Sequence, residues 1–313
     1  MRLASWNINS IRARLPRLLA WLEETGPDVV ALQETKCADA AFPYADLGAL
    51  GYDAAHAGDG RWNGVAVLSR IGLSDVSLTL DGQPEPRLAS AQCGPLHVTS
   101  VYVPNGRALG DPHYAYKLRW FEALRRRLDR FDPGQPLVVM GDMNVALRDE
   151  DVWDISAFTD STHVTPAERS ALQSLIDWGL ADVQARPGKG EFAFTFWDYR
   201  AGMLHKNLGM RIDYVLATPA VQVRDAWVDR EARKGKGASD HAPIVVDVDL
   251  SPRPVTSARP DAAAAQAERT QRAGGAALRC NVRPTGRGGS VARADATWQD
   301  GGVRRRTAAI PAR

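Results

Sequence analysis

The chain has 313 residues, 44% hydrophobic and 24% charged, with a formal net charge of +2; that is enough to bury one large core or two small ones, in an ordinary composition for which disorder is not the default. Arg2, Arg12, Arg14 and Arg17 interrupt the N-terminal apolar positions and no window approaches ~18 uninterrupted apolar residues, so neither a signal peptide nor a membrane span is expected. Cys37, Cys93 and Cys280 are too scattered for a disulfide framework or a thiolate zinc site, which suits a cytoplasmic protein.

Short β-type runs alternate with helical ones along the chain. "RLASWNI" is followed by a helical pattern with Ile11, Leu15, Leu18, Leu19 and Leu22 on one face, then by the β-type runs "DVVALQE", "GVAVLS" and "LHVTSVYVP". A second helix is expected after Asp111-Pro112, with Tyr114, Leu118, Phe121, Leu124 and Leu128 on its apolar face, and it leads into "PLVVMGDMN". A third begins at "TPAE", where Thr165 can cap, Pro166 occupies the first turn and Glu168 can complete a capping box. "RIDYVLAT" and "APIVVDVDL" end the patterned region. The strands are too many and the helices too few for a doubly wound fold. The expected class is α/β, a four-layer α/β sandwich of two stacked mixed β-sheets flanked by helices.

Composition changes after Leu250. Ser251 to Arg313 carry 12 arginines, no lysine and four acids, a net +8 that leaves −6 for the rest. This stretch is rich in Ala, Arg, Gly and Pro and has few large apolar residues, so burial cannot offset its ordering entropy. Residues 251–313 are therefore expected to be a disordered basic tail and residues 1–250 the working domain. Such a tail can hold a polyanion loosely or be a plain solvated extension.

Polar residues stand where the β-type runs end. Asn7 closes the first and Glu34 the second; Tyr102 and Asn105 lie where a later one runs out, and Asp142 and Asn144 end "VVMGDMN". Asp213 enters "RIDYVLAT", and Asp240 and His241 precede the last run. Strand ends from several segments can converge on one rim of a sheet sandwich. If these do, Glu34, Asp142, Asp213 and Asp240 crowd one pocket, and at ~6 Å and an effective dielectric near 20 each like-charge pair costs about 3 kcal/mol. Such a cluster calls for a cation. Oxygen ligands and the lack of clustered Cys or His favour Mg²⁺ or Mn²⁺ over zinc, and a hard divalent ion suits phosphate esters.

"WNINSIR", "QETK", "GVAVLSR", "VYVPNG", "GDMNV", "FTFWDYR", "GMRIDYVL" and "SDHAP" stand in the order and approximate spacing of the exonuclease III branch of the endonuclease/exonuclease/phosphatase superfamily, the bacterial AP endonucleases, which the sequence resembles over essentially residues 1–250. Singly each motif is weak; the ordered set is specific. The resemblance implies that Glu34 is the principal metal ligand, with Asn7 beside it and Asp240 near the ion or bound through water. Asp142 and Asn144 would serve a second metal if one is used. Asp142 resembles the residue that activates or orients the attacking water, and Asn144 the donor that steadies it or the transition-state oxygen. His241 resembles the imidazole on the scissile phosphate, with Asp213 on its other nitrogen. Tyr102 matches the phenol aimed at the phosphate or the leaving group.

By the same resemblance the activity is that of a metal-dependent AP endonuclease of base excision repair, cleaving 5′ to abasic sites, with 3′-repair diesterase and 3′→5′ exonuclease activity. The partner is double-stranded DNA with abasic sites or blocked 3′ ends, met by a monomer away from membranes. Asn105 and Arg107 would position phosphates, and Phe196, Trp197, Met210 and Ile212 lie near the same rim, the apolar ones walling a pocket for a baseless deoxyribose. Arg87 matches the family's E-x-R position only with a proline, Pro86, intervening. His56, His97, His113, His163 and His205 match no motif and read as ordinary polar residues. A phosphomonoesterase of the same superfamily and a nucleic-acid-binding protein that has lost catalysis are the rival readings.

Overall fold

The computed structural model describes residues 1–250; the segment expected to be a disordered tail lies outside the described residues. The strands are β1 (Arg2–Asn7), β2 (Val29–Gln33), β3 (Asp53–Ala57), β4 (Val65–Ser69), β5 (Ser74–Ser77), β6 (Leu88–Cys93), β7 (Leu96–Tyr102), β8 (Leu137–Asp142), β9 (Ala181–Asp182), β10 (Asp213–Ala217), β11 (Val221–Val228) and β12 (Ile244–Leu250). The helices are α1 (Ile11–Thr25), α2 (Tyr44–Ala49), α3 (Pro112–Leu128), α4 (Pro166–Asp177) and α5 (Met203–Lys206). Among the described residues no helix is long and apolar enough to cross a membrane.

Local chemistry sets the helix starts. Asp111 accepts a bond from His113 N at 2.8 Å ahead of α3. Thr165 and Glu168 form the expected reciprocal box at α4, with Glu168 N donating to Thr165 Oγ1 at 3.2 Å and Thr165 N to Glu168 Oε2 at 3.2 Å.

The strands form two mixed sheets, ordered β11-β12-β1-β2-β4-β3 and β5-β6-β7-β8-β10-β9. Both faces of each sheet are covered, which is why "VVALQ" and "VAVLS" are apolar throughout rather than alternating. Leu3, Ala31 and Val67 of the first sheet meet Ala91, Val98, Met140 and Val215 of the second in the central core. On the first sheet's outer face Ala4, Val30, Leu32 and Leu68 pack against Ile11, Leu18 and Leu22 of α1 and Leu47 of α2. On the second sheet's outer face Val101, Val139 and Leu216 pack against Trp120, Phe121 and Leu124 of α3 and Leu172 and Leu175 of α4. Each such large apolar side chain contributes roughly 1.5–3 kcal/mol on burial. This is the four-layer α/β sandwich expected from the sequence.

Strand register carries the polar ends to one place. The parallel pairing of β7 with β8 sets Tyr102 opposite Asp142, and the antiparallel pairing of β8 with β10 sets Asp142 opposite Asp213. In the other sheet β1 and β2 end together, Asn7 opposite Gln33, so Glu34 follows at the same level. Gly141 permits this closeness: a Cβ there would lie 2.0 Å from Val101 O.

Candidate active site

The two sheets are joined at this rim by Asn7. Its Nδ2 donates to Glu34 Oε1 at 2.8 Å and to Asp142 Oδ2 at 2.9 Å, tying the acid after β2 to the acid ending β8. His241 Nδ1 lies 2.8 Å from Asp213 Oδ2, and its Nε2 lies 3.9 Å from Asp142 Oδ2. Asp142, Asp213 and His241 are 2%, 1% and 3% exposed, so their charges act with little screening by water. Ligand atoms of Glu34, Asp142 and His241 all lie within 4.8 Å of one another.

The protonation states follow from that crowding. Burial, reinforced by Asp213 and Glu34 against His241, pushes the Asp142 carboxyl up to about 7. Burial alone would discharge His241, but Asp213, backed by Asp142 and Asp240, outweighs it and raises the ring to about 10. The imidazole is therefore a cation at neutral pH, with donors on both nitrogens and no lone pair for a metal. Burial opposes the charge on Glu34, yet the Lys36 ammonium, 2.6 Å from Oε2, holds that carboxyl below its ordinary range. Burial and the neighbouring Glu34 and Asp142 drive the Tyr102 phenol far upward, so it remains a proton donor.

The loops that aim these groups are strained. Glu34, Lys36 and Asn144 have left-handed φ of 52°, 49° and 51°. Each such residue costs roughly 1–2 kcal/mol and persists only where its surroundings over-determine it. Thr35 N and Lys36 N donate to Gly64 O and Asn63 O at 3.1 and 3.0 Å, and Thr35 Oγ1 sits 2.8 Å from His56 Nε2. Gly64 leaves room for that arrangement, because a Cβ there would lie 2.1 Å from Thr35 Oγ1. Asn144 N donates to Asp142 Oδ1 at 2.9 Å, Asn144 Nδ2 to Val103 O at 3.0 Å, and Asn144 Oδ1 accepts from Asn105 Nδ2 at 3.1 Å.

A divalent cation fits this donor set. Buried carboxylates converge, Asp142 is driven upward for want of compensating charge, and Asp213 Oδ1 is buried without a partner. Glu34 and Asp142 offer the oxygens for a hard ion. Asp240 is only part-buried and its Oδ1 accepts from Asn9 Nδ2 at 2.8 Å, beside the cluster rather than within it. Asn7 turns its amide nitrogen to the carboxylates while its Oδ1 accepts from Asn9 N at 3.1 Å, so metal ligation by Asn7 requires the amide turned over.

Phe196 lies on the rim with its ring centroid 4.9 Å from that of His241, and Met210 and Ile212 form a small apolar cluster with Ala146 and Val152, flanked by Val164 and Phe196. Asn105 Oδ1 accepts from Arg107 N at 3.1 Å, and the Arg107 side chain is 63% exposed. Trp197 is a correction to the expected rim residues. It is 2% exposed and packs in the central core, with the Arg230 guanidinium 5.5 Å from its ring centroid; it presents no surface to DNA. It serves through its backbone, donating from N to Asp240 O at 3.0 Å.

Other side chains at the site carry no sequence motif. Arg87, despite the intervening Pro86, lies 4.7 Å from the centroid of the Tyr102 ring and donates to Tyr102 O at 3.3 Å. His163 Nδ1 sits 2.5 Å from Asn144 O and its Nε2 3.5 Å from Asn105 Nδ2, a position nothing in its local sequence announces. Lys117 is fully buried behind the same two asparagines. It had a legible signal, since it falls between Tyr114 and Phe121 on the apolar face expected for α3, where a charge needs a reason.

The endonuclease/exonuclease/phosphatase family profile matches residues 4–241. The exodeoxyribonuclease III of Haemophilus influenzae is 32% identical over 266 residues, covering 78% of this chain and 98% of that protein. An AP endonuclease from Archaeoglobus fulgidus superposes with a TM-score of 0.76 at 35% identity, over 80% of this chain and 100% of that one. The 3′ phosphatase NExo from Neisseria, bound to a product DNA hairpin, superposes with a TM-score of 0.75 at 36% identity, over 80% of this chain and 100% of its own.

Proposed function

The chain belongs to the endonuclease/exonuclease/phosphatase family, and from that premise we propose that it is a metal-dependent DNA-repair nuclease, hydrolysing the phosphodiester 5′ to abasic sites and clearing blocked 3′ ends on duplex DNA. The observation that carries this reading is the buried Asp213–His241 pair facing Asp142 and Glu34 across Asn7, where the two sheets meet. Glu34 and Asp142, with Asp240 nearby, would hold a hard divalent ion such as Mg²⁺ or Mn²⁺, which would screen the phosphate and stabilise charge on the leaving oxygen.

The protein's own groups do the rest. His241 Nε2 donates to a phosphate oxygen while Asp213 holds Nδ1, which fixes the ring and keeps it charged. Asp142 orients the attacking water, and Asn144 steadies that water or the oxygen developing charge. Water's oxygen joins phosphorus as its proton passes to the Asp142 carboxylate, the bond to the 3′ oxygen breaks, and that oxygen leaves as a 3′-hydroxyl with a proton supplied from the site, the Tyr102 phenol being the donor aimed at the phosphate or leaving group. Asn105 and Arg107 position flanking phosphates without reading bases. Phe196, with the buried Met210 and Ile212 packed behind it, forms the apolar wall of a space for a deoxyribose that lacks its base. Residues 1–250 form the catalytic domain of a cytoplasmic monomer.

A second reading confines the enzyme to 3′ ends. It is favoured by His163, whose ring contacts both Asn105 and Asn144 and whose neighbour Val164 flanks the apolar cluster, so that an imidazole stands beside the space a baseless sugar would need. Paired duplexes, one with an internal abasic site and one with a 3′-phosphate, assayed with and without Mg²⁺, separate the two. Incision at the abasic site supports the first, release of 3′-phosphate alone supports the second, and no product from either with metal present overturns both.

A further inference from the structure

Lys117 and Glu168 form an ion pair with both residues 0% exposed, away from the carboxylate cluster. Lys117 Nζ lies 2.5 Å from Glu168 Oε1 and donates to Asn144 O at 2.6 Å and Asn105 O at 3.3 Å, so all its donors are used. Glu168 Oε1 also accepts from Thr162 Oγ1 at 2.5 Å and His163 N at 3.0 Å, and its Oε2 accepts from Thr165 Oγ1 at 2.8 Å. Burial lowers the Lys117 ammonium against the pull of Glu168.

Stability alone does not account for this pair. Two charges inside a protein give up their hydration, and well-packed apolar residues of similar volume are often equally or more stabilising there. What apolar residues cannot do is grip carbonyl oxygens. Asn144 sits at a left-handed φ of 51°, and its carbonyl is held by Lys117 on one side and by His163 Nδ1 at 2.5 Å. The amides of Asn105 and Asn144 are bonded to each other at 3.1 Å on the site side. One ammonium thus holds the backbones of the two asparagines whose amides are bonded to each other.

We propose that Lys117, with Glu168 as its counterion, is a positioning residue that locks Asn144 and Asn105 into one unit at the reacting phosphate. This rests on the nuclease reading above. Its consequence is a split: turnover depends on the Lys117–Glu168 pair much more than metal affinity does, because no bond runs from Lys117 to Glu34, Asp142 or Asp240, and removing Glu168 with Lys117 offsets the loss of the ammonium's charge near Asp142.

The test is the full-length Lys117→Met/Glu168→Gln pair, which removes both charges at similar volume and leaves no lone buried ion. It is expected to melt cooperatively, to bind Mn²⁺ as wild type does by electron paramagnetic resonance, and to lose about 10–100-fold in kcat from misplacement of the asparagines. Placed in an Asn144→Ala background, the same pair should cost less than about threefold further, since its main target is gone. Lys117→Gln combined with Glu168→Gln, which keeps a donor for Asn144 O and still leaves no lone buried ion, should recover part of the loss. A folded pair with near wild-type kcat overturns the proposal, as does a full multiplicative loss in the Asn144→Ala background or a pair that fails to fold, either of which leaves only a structural role. A wild-type protein inactive with Mg²⁺ on both DNA substrates would instead remove the nuclease reading itself.

Discussion

Replacing His241 by alanine tests the charge balance at the centre of the site. The ring is 3% exposed, 2.8 Å from Asp213 and 3.9 Å from Asp142, so its loss strands two buried carboxylates. Removing one partner of a buried pair costs roughly 3–5 kcal/mol. Part of this is recovered, because burial and the neighbouring Asp213 charge already push the Asp142 carboxyl up to about 7, so that it takes up a proton readily once the His241 charge is gone. A net loss of about 1–3 kcal/mol, or some 3–10 °C in Tm for a domain of this size, is expected. Activity should fall much further. If the imidazolium contacts the phosphate and Asp213 aligns it, His241→Ala should lower kcat about 10²–10⁴-fold, near 3–5 kcal/mol of transition-state stabilisation. Asp213→Asn should also be damaging, and the double variant should fall far short of the product of the single losses. The double variant should also be more stable than His241→Ala, because the stranded Asp213 carboxylate is gone. Steady-state kinetics on a short labelled duplex and thermal melts of the three variants provide the measurements. Multiplicative kinetic losses, or a His241→Ala protein with unaltered turnover and Tm, would refute the reasoning.

Chelation should abolish cleavage and Mg²⁺ or Mn²⁺ should restore it, and Mn²⁺ should raise the Tm of wild type more than that of Glu34→Gln; full activity in excess chelator would sink the metal-site argument. Deleting Ser251 to Arg313, past the end of β12, should leave turnover on a short abasic duplex nearly unchanged and flatten the salt dependence of binding if the arginines touch DNA; an unfolded or inactive truncation would show the boundary misplaced. Burial, with Arg127 nearby, lowers His97 from 6.5 to about 4, so between those values the unfolded chain binds a proton that the folded one refuses. Stability should therefore fall as pH drops through that window, by about 1–2 kcal/mol at pH 5, and His97→Gln should remove that share of the acid sensitivity in urea melts at pH 7 and pH 5.

Elements specified by local chemistry are legible in this sequence. β1, β2, β4, β7, β8, β10 and β12 announce themselves as apolar runs, and α3 and α4 by Asp111-Pro112 and by the Thr165–Glu168 box, because burial on both faces and capping act over a few residues. β3, β5, β9 and β11 were not legible for the converse reason: they are edge strands, and "DAAHA" and "SDVS" carry little apolar signal. The ordered motifs named Glu34, Asp142, Asp213 and His241, but their meeting is a matter of tertiary structure. Cross-strand register sets Tyr102, Asp142 and Asp213 side by side, and an Asn7 bond between the two sheets brings Glu34 to them, neither of which leaves a local trace. The alternation that keeps Phe196 on the rim turns Trp197 into the core. His163 and Lys117 reach Asn144 only because α3 and α4 pack behind the loop that follows β8, and long-range packing of that kind is decided by the whole core rather than by any neighbouring residue.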